Sequence, residues 1–230
     1  MTYKNIVEGR FISRPNRFIA NIEISGNEET VHVKNTGRCK ELLITGCKVF
    51  LAPSENPKRK TKYDLIAVIK KADNKEILIN MDSQIPNLVA EEWLRKGELF
   101  SKEALIKREV TFKNSRFDIY VEDGTRKAFI EVKGVTLENN GTLMFPDAPT
   151  LRGIKHINEL IEAAKAGYEA YILFVIQMKG AKEFKPNDLT HKEFGDALRK
   201  AKASGVKILA YDCKITPNII ELDSPVKINI

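Results

Sequence analysis

Over residues 1–84 apolar and polar positions alternate in short runs, each closed by turn-forming residues. Runs at 5–11, 18–24, 30–33, 47–52, 63–70 and 75–80 draw on Val, Ile, Phe and Tyr, the residue types of half-buried strands. Gly26-Asn27, Gly37, Gly46 and Asp73-Asn74 punctuate them, and Pro53 and Pro57 bracket a longer loop. About five short strands in about 80 residues fit an OB-like β-barrel, a shape that holds oligonucleotides against one face. Analogy carries that step, since composition alone does not separate one small barrel from another.

After Pro86 the period lengthens. Asn87 is placed to cap a helix bearing Leu88, Val89, Trp93 and Leu94, and a second helical stretch is expected from Ser101 towards Ile106. Strands follow at 109–112, 116–122 and 128–135, the last two joined through the hairpin signal Glu122-Asp123-Gly124. From Pro149 a unit of helix, glycine and buried strand occurs twice. Its first copy has the stripe Ile154, Ile157, Leu160, Ile161 and Ala164, then Gly167 and an apolar strand at 170–177. Its second has a capping box of Thr190 with Glu193, the inward residues Phe194, Ala197, Leu198 and Ala201, then Gly205 and a strand at 206–212. Residues 85–230 are therefore expected to form an α/β domain with a mixed central sheet, behind the barrel of residues 1–84.

Hydrophobic residues make up 43% of the 230 and charged residues 30%, which excludes a disordered chain. The longest apolar run, 170–176, is far short of the ~20 residues of a membrane-spanning helix. Residues 1–10 lack the apolar stretch of a signal peptide, so a cytoplasmic location with no membrane partner is expected. Cys39, Cys47 and Cys213 are odd in number and form no Cys-x-x-Cys pair, which argues against disulfides and structural zinc. Three histidines, His32, His156 and His191, argue against a histidine-rich metal site. No Gly-x-Gly-x-x-Gly or Walker loop, Gly-x-Ser-x-Gly elbow or His-Glu-x-x-His is present, so no nucleotide cofactor is expected and direct sugar chemistry has no handle.

Charge points elsewhere. The net charge is +7 with a pI near 9.2, and most of the excess lies before Ile85. In that first third Arg10, Arg14, Arg17 and Arg38, with Lys58, Arg59, Lys60 and Lys62 beside Tyr63, supply cations and a stacking ring. That combination suits tolerant binding of DNA, or of RNA; the plainer alternative is a solvated basic loop.

The candidate chemistry lies on the hairpin. Asp118 and Glu131 fall on its two strands, and strand alternation puts Glu131 and Lys133 on one face, as it does Arg116 and Asp118. Two carboxylates so placed suit Mg2+ or Mn2+, with the lysine at a water. The competing reading is a salt-bridged surface of the sheet. Pro146-Asp147-Ala148-Pro149-Thr150-Leu151-Arg152-Gly153 leads into a helix carrying Lys155 and His156. A helix N-terminus with Thr150 and Arg152 beside it can take a phosphate, although Asp147 or Thr150 as a simple cap accounts for the same residues. His156 falls on the sheet-facing edge of this helix, close to the carboxylates.

The order of these elements, with Asp on one hairpin strand and Glu-x-Lys on the other, resembles the PD-(D/E)xK nuclease core. That resemblance implies metal ligation by Asp118 and Glu131 and a place for Lys133 at the phosphate or water. Phe117 stands where the motif has proline, and Glu103 or Glu109 is the candidate for the helix-side carboxylate. Asn35-Thr36-Gly37-Arg38, Gly46, Arg59-Lys60-Thr61-Lys62-Tyr63-Asp64, Asn114-Ser115-Arg116-Phe117-Asp118, Ile130-Glu131-Val132-Lys133-Gly134-Val135-Thr136-Leu137, Phe145-Pro146-Asp147-Ala148 and Arg152-Gly153-Ile154-Lys155-His156 together resemble the sugar fermentation stimulation protein A family. The resemblance covers nearly the whole chain. It implies an OB-like domain followed by a nuclease-like α/β domain, non-specific DNA binding, and a regulatory role in sugar (maltose) metabolism. The alternative it carries is a magnesium-dependent nuclease acting on DNA or RNA.

Overall fold

The computed structural model describes every residue except Thr36, Arg38, Glu55, Pro57, Asp73 and Asn74, and the side chain of Ala72. The turn expected at Asp73-Asn74, and Pro57 and Arg38, therefore lie outside the described residues. Two units are present, one of Met1–Ile85 with Gln177–Lys179 and Lys214–Glu221, the other of Pro86–Ile176, Gly180–Cys213 and Leu222–Ile230.

The first unit is built from β1 (Val7–Asn16), β2 (Ile19–Ile24), β3 (Asn27–Val33), β4 (Lys48–Pro53), β5 (Tyr63–Ala72) and β6 (Lys75–Asn80). Their order is β3-β2-β1-β4-β5-β6, and β5 also pairs with β3, so β1 to β5 close into a five-stranded barrel. Closure is made by the parallel pairs His32↔Asp64 and Val33↔Leu65. Alternation is clear on β2, where Ala20 and Ile22 are fully buried and Glu23 between Ile22 and Ile24 is exposed. The interior is filled by Phe11, Val31, Val33, Val49, Leu51, Leu65 and Val68. Gly9 is required by packing rather than by backbone freedom: a Cβ there would lie 2.5 Å from Ile22 Cγ2 and 2.9 Å from the Glu23 carbonyl oxygen. Gly9→Ala is therefore expected to cost about 1–3 kcal/mol. Thermal denaturation checks it, at about 2–4 °C per kcal/mol for a chain of this size.

A polar network lies against this barrel. The Tyr3 hydroxyl donates to Asp82 Oδ2 at 3.4 Å and accepts from Asn80 Nδ2 at 2.9 Å. Burial and the Asp82 charge push its pKa far up. Lys34 Nζ stands 3.4 Å from both Asp64 Oδ2 and Asp82 Oδ2. Burial alone would raise the Asp64 carboxyl, but hydrogen bonds from Arg59 and His32 and the Lys34 charge hold it below the ordinary carboxylate range.

The second unit contains α1 (Ile85–Arg95) from Pro86 onward, β7 (Leu105–Phe112), β8 (Ser115–Asp123), β9 (Arg126–Val135), β10 (Leu137–Asn139), β11 (Thr142–Phe145), α2 (Leu151–Lys165), β12 (Glu169–Ile176), β13 (Glu183–Pro186), α3 (Asp188–Ala203), β14 (Lys207–Thr216) as far as Cys213, β15 (Ile219–Pro225) from Leu222 onward and β16 (Lys227–Ile228), the remaining ends of β14 and β15 falling in the first unit. Its main sheet has the order β15-β14-β12-β9-β8-β7, and a smaller sheet runs β10-β11-β13-β16. β12 is parallel to β9 and β14, whereas β8 is antiparallel to β7 and β9, so the sheet is mixed. The continuous apolar run of β12 is explained by burial of every residue after Glu169. Among the described residues no helix is long and apolar enough to cross a membrane.

Three local expectations are corrected. The stretch after Ser101 is a turn followed by β7 rather than a helix. Ser101 instead gives its backbone N–H and its hydroxyl to the Asp123 carboxylate at 2.9 and 2.7 Å, and pairing with β8 takes the following residues. Asn87 is not a cap but lies within the first turn of α1. The box of Thr190 with Glu193 does not start α3, which begins at Asp188; His191 (φ −157°, ψ 85°) breaks it, so the pattern marked an interruption rather than the beginning. Thr150, by contrast, caps α2 by accepting the Gly153 N–H at 3.0 Å.

Candidate functional site

The β8–β9 ladder runs from Asp123↔Arg126 to Ile119↔Ile130 and stops there. One further step of the same register would set Asp118 opposite Glu131. On the other side of β8 the pairs Arg108↔Ile119 and Val110↔Phe117 skip Asp118, where Glu109 takes a left-handed φ of 55°. The strands are thus parted at Asp118, and its side chain takes the place of the ladder: Oδ2 accepts the Val132 N–H at 2.8 Å and Oδ1 accepts from Asn87 Nδ2 at 2.8 Å. Phe117 helps to fix this strand. It is fully buried, with its ring 5.2 Å from Phe129, which in turn lies 5.0 Å from Tyr168. A large aromatic at the motif's proline position therefore packs the hairpin.

Glu131 is 1% exposed. Its Oε1 accepts from both Lys133 Nζ and His156 Nδ1, while Oε2 is buried and has no hydrogen-bond partner among the described residues. Burial would raise the Glu131 carboxyl, but the hydrogen bonds from His156 and Lys133 and the Lys133 charge hold it below its ordinary value. Asp118 moves the opposite way: burial, and then repulsion from Glu131, push it up. His156 comes from the second turn of α2, is buried, and accepts from Arg152 Nε at 3.4 Å through Nε2. The start of α2 is held against α3, for a Cβ on Gly153 would lie 2.9 Å from Thr150 Cγ2 and 3.1 Å from Phe194 Cε2.

Asp118, Glu131, Lys133, His156 and Arg152 are thus brought together at one place on the sheet. Glu103 and Glu109 are not: both are exposed, and Glu109 pairs with Arg116 at 3.6 Å. The helix-borne residue that does reach the site is Asn87. Its signal was its place in the stripe of α1 that continues through the buried Ala90 and Leu94, where a polar residue calls for a partner. Among the described residues no three His, Cys, Asp or Glu side chains cluster as metal ligands. The orphaned Glu131 oxygen and the repulsion between two carboxylates nonetheless fit a hard cation that keeps most of its waters.

In the barrel the cations divide into two groups. Arg14 gives its guanidinium to the carbonyls of Gly37, Arg17 and Asn35 at 2.9, 2.8 and 2.6 Å. Arg59 holds both Asp64 oxygens at 3.2 and 2.9 Å and Thr61 Oγ1 at 2.8 Å. These two are committed to the fold. Arg10 is exposed with one bond, 3.3 Å to the Gly46 carbonyl. Arg17 lies 6.0 Å from the centre of the Phe18 ring, which is 53% exposed. Lys58 and Lys60 are exposed, Lys62 reaches Glu29 at 3.2 Å, and Tyr63 is half-buried at the start of β5. Arg17 and Phe18 stand on the β1–β2 connection and the lysines on the β4–β5 connection, the loops that OB barrels use for oligonucleotides.

A family model described as the sugar fermentation stimulation protein RE domain matches residues 84–219, and one described as the SfsA N-terminal OB domain matches residues 12–79. The chain belongs to the sugar fermentation stimulation protein family. A family member of Clostridium beijerinckii, named a sugar fermentation stimulation protein homolog, is 59% identical over 222 residues, or 96% of each chain. A homolog of the same name from Desulfitobacterium hafniense is 61% identical over 221 residues, 96% of this chain and 95% of the other. The solved structure of Pyrococcus furiosus SfsA in complex with Ca2+ is similar with a TM-score of 0.85 at 26% identity, covering 100% of this chain and 98% of that one. The closed barrel of β1 to β5 is the OB domain of the family, followed by its mixed-sheet α/β domain.

Proposed function

We propose that this member of the family binds nucleic acid through its barrel and hydrolyses phosphodiester bonds at Asp118, Glu131 and Lys133, with Mg2+ or Mn2+ held by the two carboxylates. The observation that carries the reading is the Glu131 Oε2 atom, buried without a donor among the described residues. A buried acceptor left unpaired costs about 1–3 kcal/mol, more when charged, and a second carboxylate beside it adds repulsion. A divalent cation relieves both. The Pyrococcus furiosus relative, described in complex with Ca2+, supports the same reading, since Ca2+ and Mg2+ both prefer oxygen ligands.

When bound, such a metal polarises a phosphoryl oxygen and makes its water more acidic. The chain's own residues do the rest. Asp118 is held in place by Asn87 and the Val132 N–H, and Glu131 by Lys133 and His156. The Lys133 ammonium uses one of its three N–H donors on Glu131 and keeps the others for a water and for charge developing on phosphate. Arg152, exposed at the start of α2, is placed to hold a neighbouring phosphate. A sugar phenotype would follow through nucleic acid, by a regulatory route.

The second reading is a DNA-binding regulator with a silent site, favoured by the lack of a third metal-ligating side chain among the described residues. Labelled single-stranded and duplex DNA and RNA, incubated with Mg2+, Mn2+ or chelator and scored for retardation and cleavage, separate the two. Cleavage that needs metal supports the nuclease, and retardation without cleavage under every condition supports the silent site. The barrel gives a further expectation. Lys58→Ala with Lys60→Ala should weaken retardation and reduce the salt slope, by about 0.9 for each duplex phosphate no longer neutralised. Arg59→Ala should instead lower thermal stability, because it strips Asp64 of its bidentate partner.

A further inference from the structure

We propose that His156 is a positioning residue that turns Glu131 Oε2 towards the metal, and that Arg152 fixes the tautomer in which His156 does so. The inference rests on the metal-dependent reading above and names a further part of that site.

Both donors to Glu131, Lys133 Nζ and His156 Nδ1, meet the same oxygen, Oε1. One oxygen is therefore doubly held, while the other is buried with no hydrogen-bond partner among the described residues. A carboxylate so held has one orientation. To donate from Nδ1, a neutral imidazole must carry its proton there and leave Nε2 as an acceptor. Arg152 Nε meets that lone pair at 3.4 Å, and because a guanidinium only donates, a proton on Nε2 would set two donors against each other. Arg152 therefore selects the tautomer that Glu131 requires. His156 is 7% exposed, so packing confines the ring. Arg152 sits four residues earlier on α2, one helical turn away, where its side chain lies over the same face. With Nε engaged, its two terminal NH2 groups make no hydrogen bond among the described residues and remain at the surface for phosphate.

The test is calorimetric titration of Mn2+ into the full chain without nucleic acid, for the wild type and for His156→Ala, His156→Asn and Arg152→Ala, each checked for folding by thermal denaturation. Loss of an outer partner of a metal ligand weakens metal binding about 10- to 100-fold, and that loss is expected for His156→Ala. His156→Asn should recover most of it, because its carboxamide N–H can stand where Nδ1–H stood. Arg152→Ala should weaken binding in the wild type and change nothing in the His156→Asn background, where no tautomer is left to select. Equal affinity of His156→Ala and the wild type overturns the proposal, as does an Arg152→Ala effect of the same size in both backgrounds. If His156→Ala does not fold, the comparison of Arg152→Ala in the wild-type and His156→Asn backgrounds decides. Absence of Mn2+ binding by the folded wild type would defeat the metal reading and this inference together, whereas wild-type binding that the His156 variants match defeats this inference alone.

Discussion

Asp118→Asn is expected to abolish metal-dependent cleavage while making the protein more resistant to heat at neutral pH. Removing a ligand forfeits several kcal/mol of charge stabilisation at the reacting phosphate, which at 1.36 kcal/mol per tenfold is about a thousandfold or more in rate. Stability moves the other way because burial and the neighbouring Glu131 raise the Asp118 carboxyl above its ordinary 3.8. A carboxyl raised on folding is penalised in its charged form. The penalty is absent below the unfolded value, grows as pH rises from there through the folded one, and is complete above it. Asparagine escapes it and keeps both hydrogen bonds: its carbonyl accepts the Val132 N–H, and Asn87 can turn its own amide to face the new one. Thermal denaturation from acid to neutral pH should show the variant overtaking the wild type, by about 2–4 °C for each kcal/mol relieved. A variant less stable than the wild type at pH 7 would refute this account of Asp118.

Glu131→Gln carries the opposite sign. The Glu131 carboxyl lies below its ordinary 4.5 despite its burial, because His156 and Lys133 stabilise its charge. Breaking a buried ion pair from one side costs about 3–5 kcal/mol, since the partner charge is left behind. Lys133, whose side chain is 17% exposed, can recover part of that by turning towards water, so the lower end of the range is expected. The stabilisation from Glu131 is present above the unfolded value and is lost as pH falls through the folded one. Urea denaturation at a series of pH values should therefore show the wild type and Glu131→Gln far apart at pH 7 and converging in acid. The two carboxylates should also couple: in the Glu131→Gln background Asp118→Asn should stabilise less, because the repulsion has already gone. Full additivity of the two changes would contradict the repulsion.

Much of this site could be read along the chain because its parts obey short-range periodicities. Strand alternation put Glu131 and Lys133 on one face and helical spacing put His156 on the sheet-facing edge of α2. Asn87 was lost because an asparagine just after Pro86 also looks like a cap, and only a partner 31 residues away shows otherwise. Ser101 failed for the same reason, its partner Asp123 lying 22 residues on. A count of basic residues treats Arg14 and Arg59 like Lys58 and Lys60, although the arginines are engaged with backbone carbonyls and with Asp64. In the barrel unit, the bridge Thr2↔Ile219 and the bond from Tyr3 N–H to the Asn218 carbonyl at 2.8 Å join distant segments that no local pattern connects.

The most direct test is an anomalous difference map from crystals of the full chain grown with Mn2+. A single strong peak is expected in bonding distance of an Asp118 oxygen and of Glu131 Oε2, with water completing the shell of the ion. Density showing Glu131 Oε2 without a metal, or Mn2+ bound only elsewhere on the chain, would contradict a metal centre at these two carboxylates.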